Sequence, residues 1–277
     1  MALALAEKYR GTIINADASQ LYADLRVVSA RPSAAEEARA PHRLYGVLDG
    51  DDIANAARWS AMARAEIDAA IAEGRLPILV GGTGMYLGSL IDGIAPVPEI
   101  DAAVRAEVRA LETADAAAAL VREDPALAAR LKPADRQRLL RGLEVVRATG
   151  RSLRDWQQER VGGIAADFDV RAMLVDVDRE QLRARVAPRL WAMLDAGALD
   201  EVAALMARGL PDDRPVLRAL GVAEFAAVLG GTLTREAAVA AATIATQQYQ
   251  KRQLTWGRGR TDWPGVVDVA AAAARLA

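Results

Sequence analysis

Two short apolar runs, each followed at once by polar or glycine-rich residues, set the frame of the chain. Thr12-Ile13-Ile14-Asn15 leads into Asp17, and Pro77-Ile78-Leu79-Val80 leads into Gly81-Gly82-Thr83-Gly84. Strands buried on both faces of a parallel sheet carry continuous apolar runs of this length instead of an alternation. A third run, Ala172-Met173-Leu174-Val175-Asp176-Val177, predicts a third strand of the same kind. Residues 54–73 have helical spacing and end at Gly74, where a C-cap glycine belongs. Strand, helix, strand is the βαβ order of an α/β fold.

From 101 to 158 no run predicts a strand. Leu139, Leu143 and Val146 fall on one helical face, with Gln137 and Arg141 on another. The stretch reads as a helical insertion. Further helices are predicted over 179–194, 199–207 and 236–256, and in the Ala-rich tail after Asp268. The expected division is an α/β core from 1–100 and 171–277, with a helical insertion domain over 101–170.

Composition narrows the class. Of 277 residues, 52% are hydrophobic and 26% charged, enough to bury a core and remain soluble. The absence of cysteine excludes disulfides and thiolate metal sites and fits a reducing compartment. No run reaches the ~20 apolar residues of a membrane span. The apolar N-terminus has no basic leader of the signal-peptide kind, so a cytoplasmic protein is expected. The net charge of −2 does not point to nucleic acid, but its distribution does. Between Arg130 and Arg154 eight Lys/Arg stand against two acids. Between Ala237 and Thr261 there is no acid, and Lys251, Arg252, Arg258 and Arg260 cluster near the end. Either these segments face a polyanion or they are solvated helix faces.

Four segments could carry chemistry. Asp17, at the carboxyl end of a strand, stands where open α/β sheets place their ligands. It could act as a general base, hold Mg²⁺ through water, or cap a helix. The Gly81-Gly82-Thr83-Gly84 turn could bring backbone N–H groups to an anion or a base, or be a tight turn only. It is not a Walker A loop, because no Gly-Lys-Ser/Thr follows. In 135–144, Gln137 and Arg141 at i and i+4 suit contacts to phosphates or bases, or a salt-bridged surface. In 246–258, cations interleaved with Tyr249 and Trp256 suit an RNA backbone and stacked bases, or an amphipathic helix. His42, the only histidine, is expected to be structural.

In order and spacing these segments resemble the tRNA dimethylallyltransferase (tRNA isopentenyltransferase) family. The matching segments are Asp17-Ala18-Ser19-Gln20-Leu21-Tyr22, Ala30-Arg31-Pro32, Pro41-His42-Arg43-Leu44, Val80 through Tyr86, Asp135 through Glu144, and Gln250-Lys251-Arg252-Gln253-Leu254-Thr255-Trp256. The resemblance runs from Leu3 to about Trp263. It implies an α/β, P-loop NTPase-like core with a parallel sheet, its first strand missing, plus a helical insertion domain. It further implies transfer of a dimethylallyl group from dimethylallyl diphosphate to the N6 amine of the adenosine 3′ of the anticodon, in a monomer using Mg²⁺ as cofactor. The base would be flipped from the anticodon loop of the tRNA into a channel, as enzymes that modify bases require.

By the same resemblance the catalytic residues are Asp17 as general base, Thr83 near the flipped base, and Arg189 near the diphosphate. The tRNA-contacting positions are Asp17, Ala18, Ser19 and Gln20; Thr83; Arg105; Gln137, Arg138, Leu139, Leu140 and Arg141; Arg218, Ala219, Leu220, Gly221, Val222 and Ala223; and Lys251, Arg252, Gln253, Leu254, Thr255, Trp256, Gly257 and Arg258. The family's N-terminal strand and Gly-Pro-Thr-Ala-Ser-Gly-Lys-Ser/Thr loop have no counterpart, and Met1-Ala2-Leu3-Ala4-Leu5-Ala6 matches the helix that follows them. The expectation is a truncated chain with no visible metal-ligating Ser/Thr and with lost diphosphate affinity. The alternatives are a catalytically impaired tRNA-binding remnant and a small-molecule kinase relative; two basic segments and a large insertion disfavour the latter.

Overall fold

The computed structural model describes residues 1–175, 177–260 and 263–275. Asp176, in the expected third strand, and Thr261, at the end of the acid-free segment, lie outside the described residues. In chain order come α1 (Ala2–Tyr9), β1 (Gly11–Asn15), α2 (Ala34–Glu37), β2 (His42–Arg43), α3 (Ala56–Ala72), β3 (Leu76–Val80) and α4 (Gly84–Asp92). Next are α5 (Ala102–Ala110), α6 (Thr113–Glu123), α7 (Pro125–Ala128), α8 (Arg136–Thr149), α9 (Leu153–Trp156) and β4 (Leu174–Val175). The chain continues through α10 (Arg179–Ala184), α11 (Val186–Asp195), α12 (Ala198–Ala207), α13 (Val222–Leu229), α14 (Arg235–Arg258), β5 (Gly265–Val266) and α15 (Val269–Ala274). Two compact units result, one of Met1–Ser89 with Asp169–Ala277 and one of Leu90–Phe168.

In the first unit, β1 is the middle strand of a parallel sheet ordered β2-β1-β3, and Asn15 pairs in register with Val80. The central place of β1 explains why all five of its residues are buried. Gly11 is needed there, because a Cβ would stand 3.0 Å from the Ala6 Cα of α1 and 2.6 Å from the Ile78 side chain. The helix α3 starts where the Asn55 side chain accepts the Arg58 N–H, and it buries Trp59, Ala63, Ile67 and Ala70. This spacing of three and four residues is the apolar stripe expected of a helix covering a sheet.

Two expectations need correction. The third strand does not join the β1 sheet; β4 pairs in parallel with β5 in a separate two-stranded sheet. The helix expected over 179–194 is two helices that meet at Arg185. Pro188 has no N–H for the carbonyl of Ala184, and its ring clashes with that carbonyl in a continuous helix, so the chain breaks one turn earlier. Strand β2, only two residues long, has no periodicity to announce it.

The second unit has its own core. Val108, Ala116, Ala119, Leu120, Leu127, Leu139 and Leu143 from α5, α6, α7 and α8 pack together. Gly142 admits the close approach of α7, since a Cβ there would lie 2.8 Å from Leu127. Where the chain enters and leaves this unit, Ile94 and Val161 exchange both backbone hydrogen bonds, at 2.9 and 3.0 Å.

Candidate active site

The loops that follow β1 and β3 leave the same end of neighbouring parallel strands and are stitched together. Ala16 N–H donates to Val80 O (2.8 Å) and Thr83 N–H to Ala16 O (3.2 Å). Ala18 N–H donates to the Thr83 hydroxyl at 3.0 Å. The first glycine of the turn is required by this seam: a Cβ on Gly81 would lie 2.1 Å from the Ala16 carbonyl carbon.

Asn15, fully buried, organises the loop that carries Asp17. Its amide donates to Asp17 O and Leu44 O, both at 2.9 Å, and its oxygen accepts Asp17 N–H at 2.8 Å. Its own carbonyl accepts Trp59 Nε1–H at 2.9 Å. The Asp17 carboxylate then accepts Ser19 N–H at 2.9 Å at the head of a 3-10 turn over Ser19–Leu21. Asp17 thus makes a local side-chain-to-backbone turn with Ser19, while Ala18 is the N-cap residue of the 3-10 turn. Burial raises its proton affinity, opposed by the Ser19 and Gln20 N–H groups and by the charge of Arg189. Tyr45, desolvated and beside the same carboxylate, is pushed up to about 12.

The long helix α14 closes the site. A Cβ on Gly82 would fall 1.7 Å from Gln253 Nε2, and one on Gly84 would fall 2.3 Å from the Trp256 ring. Gln253 and Trp256 therefore lie directly against the glycine turn. Tyr249 stands one turn before Gln253 on the same helix, and burial raises its proton affinity. The reading of the turn as a nest of backbone donors needs correction at two positions. Thr83 N–H is spent on Ala16 O, and Gly84 N–H on Gly82 O.

The other sequence-predicted residues divide by exposure. Ala18, Ser19 and Gln20 are half-buried at the loop. The Gln20 amide is occupied in donating to Ser29 O (3.0 Å) and Ala30 O (3.1 Å). Arg189 is exposed on α11 and lies close enough for its charge to act on Asp17. Arg218 and Ala223 are exposed and Leu220 is half-buried, whereas Ala219, Gly221 and Val222 are buried. On α14, Lys251, Arg252, Thr255 and Arg258 face solvent and Leu254 is half-buried. Gly257 is buried, its missing Cβ making room for Leu174 at 2.7 Å. The Trp256 ring packs edge-on against Trp263 at 5.3 Å under the Arg260 guanidinium, so it serves the protein's own packing.

Within the second unit, Gln137, Arg138 and Arg141 are exposed on α8 and Arg105 is half-exposed on α5. Leu139 belongs to the core and Leu140 packs against it, which corrects any expectation of side-chain contact to RNA at these two. The cations of this region are largely engaged. Arg136 holds the carbonyls of Leu111 and Arg109, Arg147 holds Glu107 and Glu123, and Arg151 holds Glu159. Arg138 pairs with Asp135 at 3.6 Å, and Arg109 and Arg141 flank the buried Glu144.

His42 packs against Tyr45 and its Nδ1 lies 2.8 Å from Ala40 O, a structural role. Sequence reasoning missed Asn15 as the organiser of the Asp17 loop. Among the described residues no three His, Asp or Glu side chains converge to hold a cation. The site offers a single carboxylate, so the residues present do not build a metal site of their own.

A parallel sheet with a carboxylate and a hydroxyl joined across the ends of adjacent strands defines an α/β protein whose ligands meet it at the carboxyl end of the sheet. Comparison with known proteins narrows this class. The profile described as IPP transferase matches residues 20–260. The tRNA dimethylallyltransferase of Sphingopyxis alaskensis is 55% identical over 267 residues, 95% of this chain and 87% of the relative. That of Zymomonas mobilis is 47% identical, covering 97% of this chain and 86% of the relative. The crystal structure of the tRNA isopentenylpyrophosphate transferase of Bacillus halodurans aligns with a TM-score of 0.70 at 26% identity, covering 99% of this chain and 89% of that one. A eukaryotic dimethylallyltransferase acting on tRNA aligns with a TM-score of 0.79 at 25% identity, covering 92% of this chain and 65% of that one. The chain belongs to the IPP transferase family.

Proposed function

We propose that the chain is a tRNA dimethylallyltransferase, moving the dimethylallyl group from dimethylallyl diphosphate to the exocyclic N6 amine of the adenosine 3′ of the anticodon. The observation that carries this reading is the Ala18–Thr83 seam. It ties the loop that carries the half-buried Asp17 to the Thr83 hydroxyl at the carboxyl end of the sheet. In the reaction the C–O bond to the diphosphate breaks, a C–N bond forms, and the amine loses a proton. Asp17 takes that proton, and burial moves its proton affinity in the direction a base needs. Arg189, near Asp17 in charge and open to solvent, meets the negative charge that develops on the departing diphosphate. Mg²⁺ is proposed as a partner of the diphosphate oxygens, because a small hard cation is commonly held by substrate phosphates and water with few protein ligands.

The tRNA is proposed to meet the exposed cations Lys251, Arg252 and Arg258 of α14 and Arg218 in one unit. In the other unit it is proposed to meet Arg105, Gln137, Arg138 and Arg141. The test is mass spectrometry of an anticodon stem-loop incubated with dimethylallyl diphosphate and Mg²⁺. A prenyl adduct on the adenosine 3′ of the anticodon is the expected result. Binding without an adduct would favour the catalytically impaired tRNA-binding alternative, and neither binding nor adduct would overturn the reading. Asp17→Asn should lower transfer by about 100-fold or more while leaving RNA affinity in place.

A further inference from the structure

Among the described residues Asp124 and Glu144 are the buried carboxylates. Asp124 has a local task, accepting Leu127 N–H at the head of α7. Glu144, in the middle of α8, caps no helix end. Its side chain is 7% exposed, and it faces two arginines from two helices. Arg109 Nε, in the last turn of α5, donates to Glu144 Oε1 at 3.2 Å. Arg141 Nη1, one turn earlier on α8, lies 3.5 Å from Oε2. Arg136 ties down the end of α5 by donating to Arg109 O and Leu111 O. The two arginine side chains are 61% and 44% exposed, so their heads face solvent. Glu107, also on α5, is held by Arg147. One buried anion thus carries two solvent-facing cations, and a positive charge is left over. Such an arrangement is weak evidence for stability, since an apolar side chain of similar volume often serves as well. What it supplies is orientation of the two guanidinium groups.

From this fork we infer that Arg109 is a further RNA-phosphate contact, and that Glu144 is the positioning residue that presents Arg109 and Arg141 as a pair. Arg109 spends its Nε–H on Glu144, which leaves the donors of its terminal nitrogens for a phosphate oxygen. Fixing both side chains before RNA arrives removes part of the ordering cost of binding. Helical spacing extends the surface on both elements. Arg105 stands one turn before Arg109 on α5, and Gln137 and Arg138 stand one turn before Arg141 on α8. The nearby Asp135 is paired with Arg138 at 3.6 Å. The inference rests on the tRNA reading for the choice of polyanion, and its readout is RNA affinity, which needs no turnover.

The experiment measures binding of the anticodon stem-loop to the full chain and to Arg109→Ala, Arg109→Lys and Glu144→Gln, at several salt concentrations, with thermal melts of each variant. Arg109→Ala should weaken binding by about tenfold, as for a hydrogen bond to a charged group. Its slope of log affinity against log salt should shrink by about 0.7–0.9, the share of one phosphate contact. Arg109→Lys should keep the parent's slope, because it keeps the charge. Glu144→Gln separates positioning from charge by the sign of its effect. Removing an acid from a cationic surface tightens RNA binding if charge alone matters. Loss of positioning instead weakens it, by about threefold or more, in a protein that still melts cooperatively. In transfer assays Arg109→Ala should raise KM for RNA and leave kcat unchanged. Unchanged affinity and slope in Arg109→Ala, or tighter binding in Glu144→Gln, would overturn the inference. If Glu144→Gln does not fold, the exposed Arg109 variants decide it. A parent chain that binds no stem-loop removes the tRNA reading and the inference together. A parent that binds RNA but transfers nothing removes only the transferase step, and the Arg109 affinities still decide the contact.

Discussion

Asn15 and Asp17 stand two positions apart and meet burial in opposite ways. Asn15 satisfies its side chain three times over, with Asp17 on both sides of the exchange and Leu44 O as the third partner. Asn15→Ala would leave buried donors and acceptors unmatched, and a loss of roughly 2–4 kcal/mol of unfolding free energy in urea titration is expected. Asp17 is a charge held against its own preference. Its carboxyl is raised by burial more than the Ser19 and Gln20 N–H groups and Arg189 lower it. The folded protein therefore binds this proton more tightly than the unfolded chain does. The Asp17 contribution to stability is complete below the ordinary aspartate range and is lost as pH rises through the folded value. Asp17→Asn keeps an oxygen to accept Ser19 N–H and removes the buried charge. At pH 7 the variant should melt at a higher temperature than the parent, and the two should converge as acid protonates Asp17. Equal melting temperatures at pH 7 would show that burial imposes no penalty on this carboxylate. A gain in stability paired with lost transfer is the signature of a group retained for chemistry.

At the scale of elements, the glycine turn is a close-approach device. Gly81 lies against backbone, which cannot swing away, whereas Gly82 and Gly84 lie against the side chains of Gln253 and Trp256. Gly81→Ala should therefore destabilise the protein more than Gly82→Ala, by roughly 1–3 kcal/mol or more for an overpacked site, in paired thermal melts. The same elements show what the sequence made readable. Strands β1 and β3 and helix α3 could be placed from unbroken apolar runs, a stripe of three-and-four spacing and a glycine stop, all local signals. Asp17 and Thr83 could be placed at strand ends for the same reason. The seam between them is a contact across 65 positions that no local pattern encodes. The pairing of β4 with β5 is likewise long-range, and β5 is too short to carry a periodicity. The break at Arg185 was available in Pro188, but the amphipathic spacing of 179–194 masked it.

At the scale of the molecule, the two units rest on different cores. The first is built around β1 and α3, the second around Leu120, Leu139 and Leu143 on helices alone. Charge follows a similar logic: in the second unit Arg136, Arg147 and Arg151 are tied to carbonyls or carboxylates, and even the exposed Arg138 and Arg141 pair with Asp135 and Glu144. Separate cores predict separable stability. Leu143 is fully buried among α5, α6 and α8 residues, and Leu143→Ala removes packing that only the second unit uses. Its cost should be about 2–5 kcal/mol, the range for a leucine core cavity. Native-state hydrogen exchange then discriminates between one cooperative body and two. Amides of α6 and α8 should lose protection by that amount, while those of β1 and β3 keep theirs, because local units open with their own free energies. Loss of protection spread evenly over β1, β3 and α8 would mean that the chain unfolds as one cooperative whole. In that case a destabilised insertion would silence the site through global unfolding. Under the separate-unit expectation, Leu143→Ala instead leaves the Asp17–Thr83 seam intact and weakens only what depends on the second unit's surface.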